Sequence, residues 1–255
     1  MQFKQFSEYL YKIENTSGRN DITVLLAEVY SHIQLPEAKH AMYLLLGRLA
    51  PKFVPLEFNF SQKLILKALE SITKDSANIN KIYKETGDVG SVVEQISANG
   101  GLNVSGLFEQ EKVEDLDINQ VYKAMREIAE SSGAGSQDKK INSFIKIISI
   151  LDPLSAKYVT RMIVGTIRLG LSEKTILDSL SWFVASDKSL RTDLDLAFGK
   201  KADLGELFET VLNNKSDLKT ALEKMKVVPG IPIASKLVER EANSAAVWER
   251  MPNCF

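Results

Sequence analysis

Residues 133–170 read GAGSQDKKINSFIKIISILDPLSAKYVTRMIVGTIRLG. Ile141, Phe144, Ile145, Ile148 and Leu151 fall on one face at helical spacing, so this stretch predicts a helix rather than a strand. A second helical pattern follows from Ser155 and is closed by Gly170, a glycine suited to the residue after a helix end. Between Gly133 and Gly170 the formal charge is +4, although the whole chain is −1. A locally basic segment in a slightly acidic chain is an electrostatic footprint for a polyanion.

The pattern extends in both directions. Phe3, Phe6, Leu10 and Ile13 make a first apolar face, and Val24, Leu25, Val29 and Ile33 a second. Pro36 suits the start of a third helix, which Pro51 and Pro55 end. Ser61 caps LILKALESI, and the segment 78–97 reads as two short helices broken at Gly87-Asp88. Residues 99–117 hold no convincing helix, and their acidic second half reads as a solvated excursion. Helical pattern then resumes as far as Met225. No alternating strand pattern of useful length and no hairpin signal appear. The expectation is an all-α fold: one domain of about twelve helices over 1–226, then an extended, Pro-punctuated linker over 227–255. No fixed-period repeat is evident, which argues against a solenoid.

Composition narrows the class. Apolar residues at 44% and charged residues at 25% are ordinary for a globular chain with ample core. One cysteine, Cys254, precludes an intramolecular disulfide. No apolar run approaches the ~18 residues that would span a bilayer, so no membrane partner is expected. The amphipathic N-terminus is unlike a signal peptide. His32 and His40 lack Cys or acidic neighbours of metal-ligand spacing and read as surface or packing residues. Phosphate-loop, dinucleotide and hydrolase motifs are missing. Lys201-Ala202-Asp203-Leu204 lacks the glycine of an adenylation motif and lies in helical pattern.

Two features carry chemistry. Gly133, Gly135, Ser136 and Gln137 form a small-residue loop before a helix, with Ser136 as its expected N-cap. Free amides at a helix start suit a phosphate, and Lys139 and Lys140 in the first turn add positive charge. Lys157, Arg161, Gly165 and Arg168 are spaced to form one helical stripe, where two arginines could fork onto phosphate oxygens. Each feature has a plainer reading, as a flexible loop or a solvated helix face. Together they favour a polyanion.

The Gly133–Gln137 loop, Lys140, and the Arg161, Gly165, Arg168, Gly170 series resemble the N-terminal DNA-binding domain of ATP-dependent DNA ligases of archaeal and eukaryotic type. FSEYLYKIENTSGRND, MYLLLGRLAP, TGDVGSVVE and PGIPIASKL resemble other landmarks of that family in the same order. Ala134 and Thr166 depart from its usual residues, Thr166 standing where some members carry lysine. The resemblance implies an all-α module that binds nicked double-stranded DNA through phosphates and the minor-groove face, supporting nick sealing in replication, recombination and repair. Residues 227–255 would then hold a linker and the start of that family's adenylation domain, and the sequence ends before the adenylated lysine, so catalytic inactivity of this chain alone is expected. ATP and Mg2+ would belong to the remaining ligase domains in cis, and no cofactor to this chain. A sliding clamp is among the partners the resemblance would allow. The location implied is the nucleoid of a prokaryotic cytoplasm or a eukaryotic nucleus. The alternative is a helical protein-interaction scaffold without catalytic activity.

Overall fold

A computed structural model of the chain describes residues 1–100, 102, 115–235 and 242–250. The described residues form an all-α domain without a strand. Its helices are α1 Phe3–Glu14, α2 Arg19–His32, α3 Ala38–Leu45, α4 Gln62–Thr73, α5 Ser76–Thr86, α6 Val89–Ala98, α7 Ile118–Glu130, α8 Ser136–Ile150, α9 Pro153–Ile163, α10 Glu173–Ala185, α11 Arg191–Lys200, α12 Leu204–Asn213, α13 Leu218–Lys224 and α14 Ser244–Arg250. The seven-residue α14 lies within the stretch expected to be linker. Most of the acidic excursion, 109–114, falls outside the described residues.

The two halves of the chain carry the same series of local devices. Phe3, Phe6, Leu10 and Ile13 of α1 recur at the same spacing as Ile118, Val121, Met125 and Ile128 of α7, and all eight are buried. Helices α2 and α8 both start after a glycine N-cap, Gly18 and Gly135. Ser61 caps α4 by accepting from the Leu64 amide, and Ser172 caps α10 by accepting from the Thr175 amide. Both helices then close on a left-handed residue, Lys74 and Ser186. Asp88 accepts from the Gly90 and Ser91 amides at α6, while Asp203 accepts from those of Gly205 and Glu206 at α12. The halves differ too much in residue identity for a period to show in the one-letter string. Their caps and apolar spacing, which fix helix ends and faces, are shared.

The halves exchange helices rather than folding separately. α6 of the first half packs on α9 of the second, and α12 packs on α3. Likewise α10 lies on α2, and α4 on α8. The exchange begins at the N-caps of α1 and α7. There Phe3 N donates to Leu116 O at 2.8 Å and Ile118 N donates reciprocally to Met1 O at 3.2 Å. One continuous apolar core results, running from Phe3 through Tyr30, Leu44, Phe144 and Tyr158 to Phe208. Each fully buried aromatic or aliphatic side chain contributes roughly 1.5–3 kcal/mol by leaving water. Val227 to Ser235 continues along α11, held by the Ala202 amide on Pro232 O and the Ala234 amide on Gly199 O.

Candidate nucleic-acid interface

Helices α3 and α9 end in the same way. Gly165 is left-handed at φ 71°, its amide donates to Met162 O, and the Thr166 amide reaches back to Arg161 O at 2.8 Å. Gly47, at φ 67°, donates to Leu44 O, and the Arg48 amide reaches back to Tyr43 O at 3.0 Å. Both are Schellman closures, which satisfy the last carbonyls of a helix and need glycine because a Cβ opposes φ > 0. The helix therefore ends at Ile163, not at Gly170, and Gly165 is its C′ residue. Arg168 lies beyond it, itself left-handed at φ 60°, so no single stripe runs from Lys157 to Arg168.

The two turns meet. Ile167 sits over Gly47, its Cγ2 3.1 Å from where a Cβ would stand. The segment 56–60 borders the turn at Gly165, and a cavity of about 370 Å³ is lined there by Arg48, Phe58, Asn59 and Gly165. The start of α8 is tied to the same segment, since Lys140 Nζ donates to Phe58 O at 2.7 Å. Gly133, Gly135, Gln137 and Lys139 are exposed beside it, and Ser136 is half-buried. Gly135, left-handed at φ 72°, is the N-cap; the expected cap Ser136 is the first helical residue, and no side chain caps this helix. Its first-turn amides consequently lack a side-chain acceptor, unlike those of α6, α9 and α12, each capped by an aspartate. The two turns, the segment 56–60 and the start of α8 are thus linked through one cavity and the Lys140–Phe58 hydrogen bond.

Three of the five expected cations point elsewhere. Arg161 is 3% exposed: Nη1 donates to Glu14 at 2.7 Å, and Nε and Nη2 donate to one Asp88 oxygen at 2.9 and 2.7 Å. Lys157 is 8% exposed and pairs with Glu94 at 2.7 Å. Lys140 is 8% exposed and held by Phe58 O. Arg161 and Lys140 are corrected from surface contacts to internal fastenings, because acids and carbonyls of the other half reach them. Lys139, Gly165, Arg168 and Gly170 are exposed as expected. Arg168 Nη2 donates to Gly87 O at 2.9 Å, leaving most of its five donors for another acceptor. The local charge of +4 therefore does not emerge as a patch of that size.

The buried ion cluster is electrostatically matched. Burial opposes ionisation of Asp88, but hydrogen bonds from Arg161 and Ser91 outweigh it and hold its pKa below the usual range. Glu14 is held low against burial by Arg161 and Tyr158. In the other half Tyr43 stands where Arg161 stands, four residues before the turn glycine. Its hydroxyl donates to Asp203 at 2.8 Å, and burial together with that carboxylate pushes its pKa up.

The sequence model of a family described as DNA ligase N terminus matches residues 2–181. The chain belongs to the DNA ligase N-terminus family. A probable DNA ligase of Dictyoglomus turgidum is 34% identical over 255 residues, spanning 100% of this chain and 41% of that relative. DNA ligase 2 of Thermofilum pendens is 31% identical over 255 residues, spanning 98% of the chain and 42% of the relative. The DNA ligase of Saccharolobus solfataricus is 29% identical over 254 residues, again spanning 98% and 42%. This ligase N-terminal domain thus spans about two fifths of the relatives it matches.

Two functional candidates in the ligase domain escape sequence reading. Arg48 is half-buried and makes no side-chain hydrogen bond among the described residues; burial pushes its pKa down, with Glu173 acting the other way. Asn59, exposed and left-handed at φ 50°, faces the same cavity. The signal for Arg48 was available as LLLGR beside MIVGT, two apolar runs ending in Gly. The histidines pack: His40 stacks on Tyr122 at 3.7 Å and meets Asn119, and His32 lies against Tyr9. Asp203 of the rejected adenylation motif is the cap of α12. Among the described residues no cluster of three acidic, His or Cys side chains could hold a metal, and no helix could cross a membrane.

Proposed function

We propose that this chain is the DNA-binding module of an ATP-dependent DNA ligase, gripping nicked duplex so that further domains can seal it. Membership of the ligase N-terminus family supports the assignment. The observation that carries it to a surface is that the uncapped α8 is tied through Lys140 to the segment 56–60, which lines one cavity with the left-handed turns at Gly47 and Gly165. Gly133 and Gly135 let a sugar–phosphate chain approach the backbone, and the first-turn amides, aided by the helix dipole, donate to phosphate oxygens. Lys139 and Arg168 add charge from either side of the segment 56–60. Such contacts supply affinity and register with little sequence information, which suits sealing of any nick. Nucleotide and Mg2+ belong, on this reading, to the other ligase domains.

The test is a titration of the full chain with nicked and intact duplexes of unrelated sequence across a salt series. Binding at low salt, falling linearly in log–log form and independent of sequence, is expected. Absence of duplex binding at low salt overturns the proposal. Incubation with radioactive ATP should leave the chain unlabelled; covalent labelling would overturn its assignment as a non-adenylated module.

A further inference from the structure

Arg48 occupies the residue after the turn glycine in the first half, and Thr166 occupies that position in the second. Arg168 lies two residues further on in the second half, where the first has Ala50. Each Schellman turn therefore carries one arginine, at different offsets. Arg48 borders two cavities at once. One is the cavity shared with Gly165, and the other, of about 310 Å³, lies between the turn 46–52 and the start of α10. In the second cavity Lys52 Nζ is already joined to Glu173 Oε1, and Glu173 also attracts Arg48 without accepting a hydrogen bond from it among the described residues. A half-buried guanidinium that has lost water without gaining a hydrogen-bond acceptor among the described residues carries a free-energy cost that an external anion would offset.

We propose that Arg48 is a second phosphate-binding residue of this module, taking a phosphodiester of the duplex across the paired turns from Arg168. The proposal rests on the DNA-binding reading above and adds to it a residue and a position. The guanidinium is planar and presents a fork of donors, matching two oxygens of one phosphodiester. Its place beside Ile167 and Gly47 sets it where the two halves of the chain meet, whereas Lys139 and the α8 start lie beyond the segment 56–60. Two arginines on opposed turns would hold separate phosphates and so fix the angle of the duplex as well as its distance.

The test compares Arg48→Ala, Arg48→Lys, Arg168→Ala and the double alanine variant with the parent chain on nicked duplex over a salt series. Arg48→Ala should lower affinity for every sequence and reduce the salt slope by about 1, and the double variant by about 2. Arg48→Lys should keep the slope while losing affinity, because charge is retained and the fork is not. Unfolding midpoints serve as the control for folding, and a phosphate contact predicts that they move little. Parent-like affinity and slope in Arg48→Ala, with Arg168→Ala impaired, would overturn the role of Arg48 and leave the DNA-binding reading standing. Failure of the parent chain to bind duplex would instead strike that reading itself. An affinity loss in Arg48→Ala with an unchanged slope and a lowered unfolding midpoint would assign Arg48 to packing and overturn the proposal.

Discussion

Arg161 Nη2 lies 2.7 Å from Asp88 Oδ2, and both side chains are almost wholly buried, at 4% and 3% exposure. The pair joins α9 to the N-cap of α6 across the two halves of the chain. Breaking one member of such a pair leaves the other charged and without a partner. Arg161→Met should therefore destabilise the domain by about 3–5 kcal/mol. Urea unfolding followed by helical circular dichroism measures this, and a loss under ~1 kcal/mol would contradict a structural role for the pair.

The same cluster makes stability depend on acid. Asp88 and Glu14 titrate below the usual carboxylate range in the folded state. Their contribution is fully present above the unfolded-state pKa of about 4, and is lost as pH falls through the depressed folded values. Stability should thus decline as pH drops below about 5. In Glu14→Gln that acid limb should be shallower. Equal slopes in parent and variant would remove Glu14 from the linkage.

Gly90 and Gly205 are places where a helix of one half lies against a side chain of the other. A Cβ on Gly205 would stand 2.5 Å from the Tyr43 ring, and one on Gly90 2.6 Å from Arg161 Cγ and 2.9 Å from Lys157 O. Alanine at either should cost about 1–3 kcal/mol through overpacking. Gly199 has nothing within 4 Å. Alanine there should be neutral or stabilising by up to ~1 kcal/mol, since it raises helix propensity. Thermal melts of the three variants check the order, and a Gly205→Ala melt matching that of Gly199→Ala would show that the contact yields freely.

Lys139 and Lys140 are adjacent and should behave oppositely. Lys140→Ala removes a charged hydrogen bond to a buried carbonyl and should cost about 1.5–3 kcal/mol of stability. Lys139→Ala should leave the unfolding midpoint nearly unchanged and lower the salt slope of duplex binding by about 1. Reversed effects would mean that the two lysines exchange roles on the free surface.

The sequence alone determined the all-α class and most helix positions. Apolar spacing in α1, α4 and α8, the cap Ser61, and the break at Gly87-Asp88 are local features, decided by residues within one turn of each other. The loop Gly133–Gln137 was legible for the same reason, as was the ordered set of landmarks that resembles a ligase domain. Tertiary structure decided which cations meet solvent. Spacing places Lys157 and Arg161 on one stripe but does not say what covers it, and Glu14, Asp88 and Glu94 come from helices far away in the chain. The devices shared by the two halves did not show as a period because they recur at unequal offsets while the side chains around them differ. Arg48 becomes a candidate when two distant turns are brought together and no hydrogen-bond acceptor for its side chain is found among the described residues.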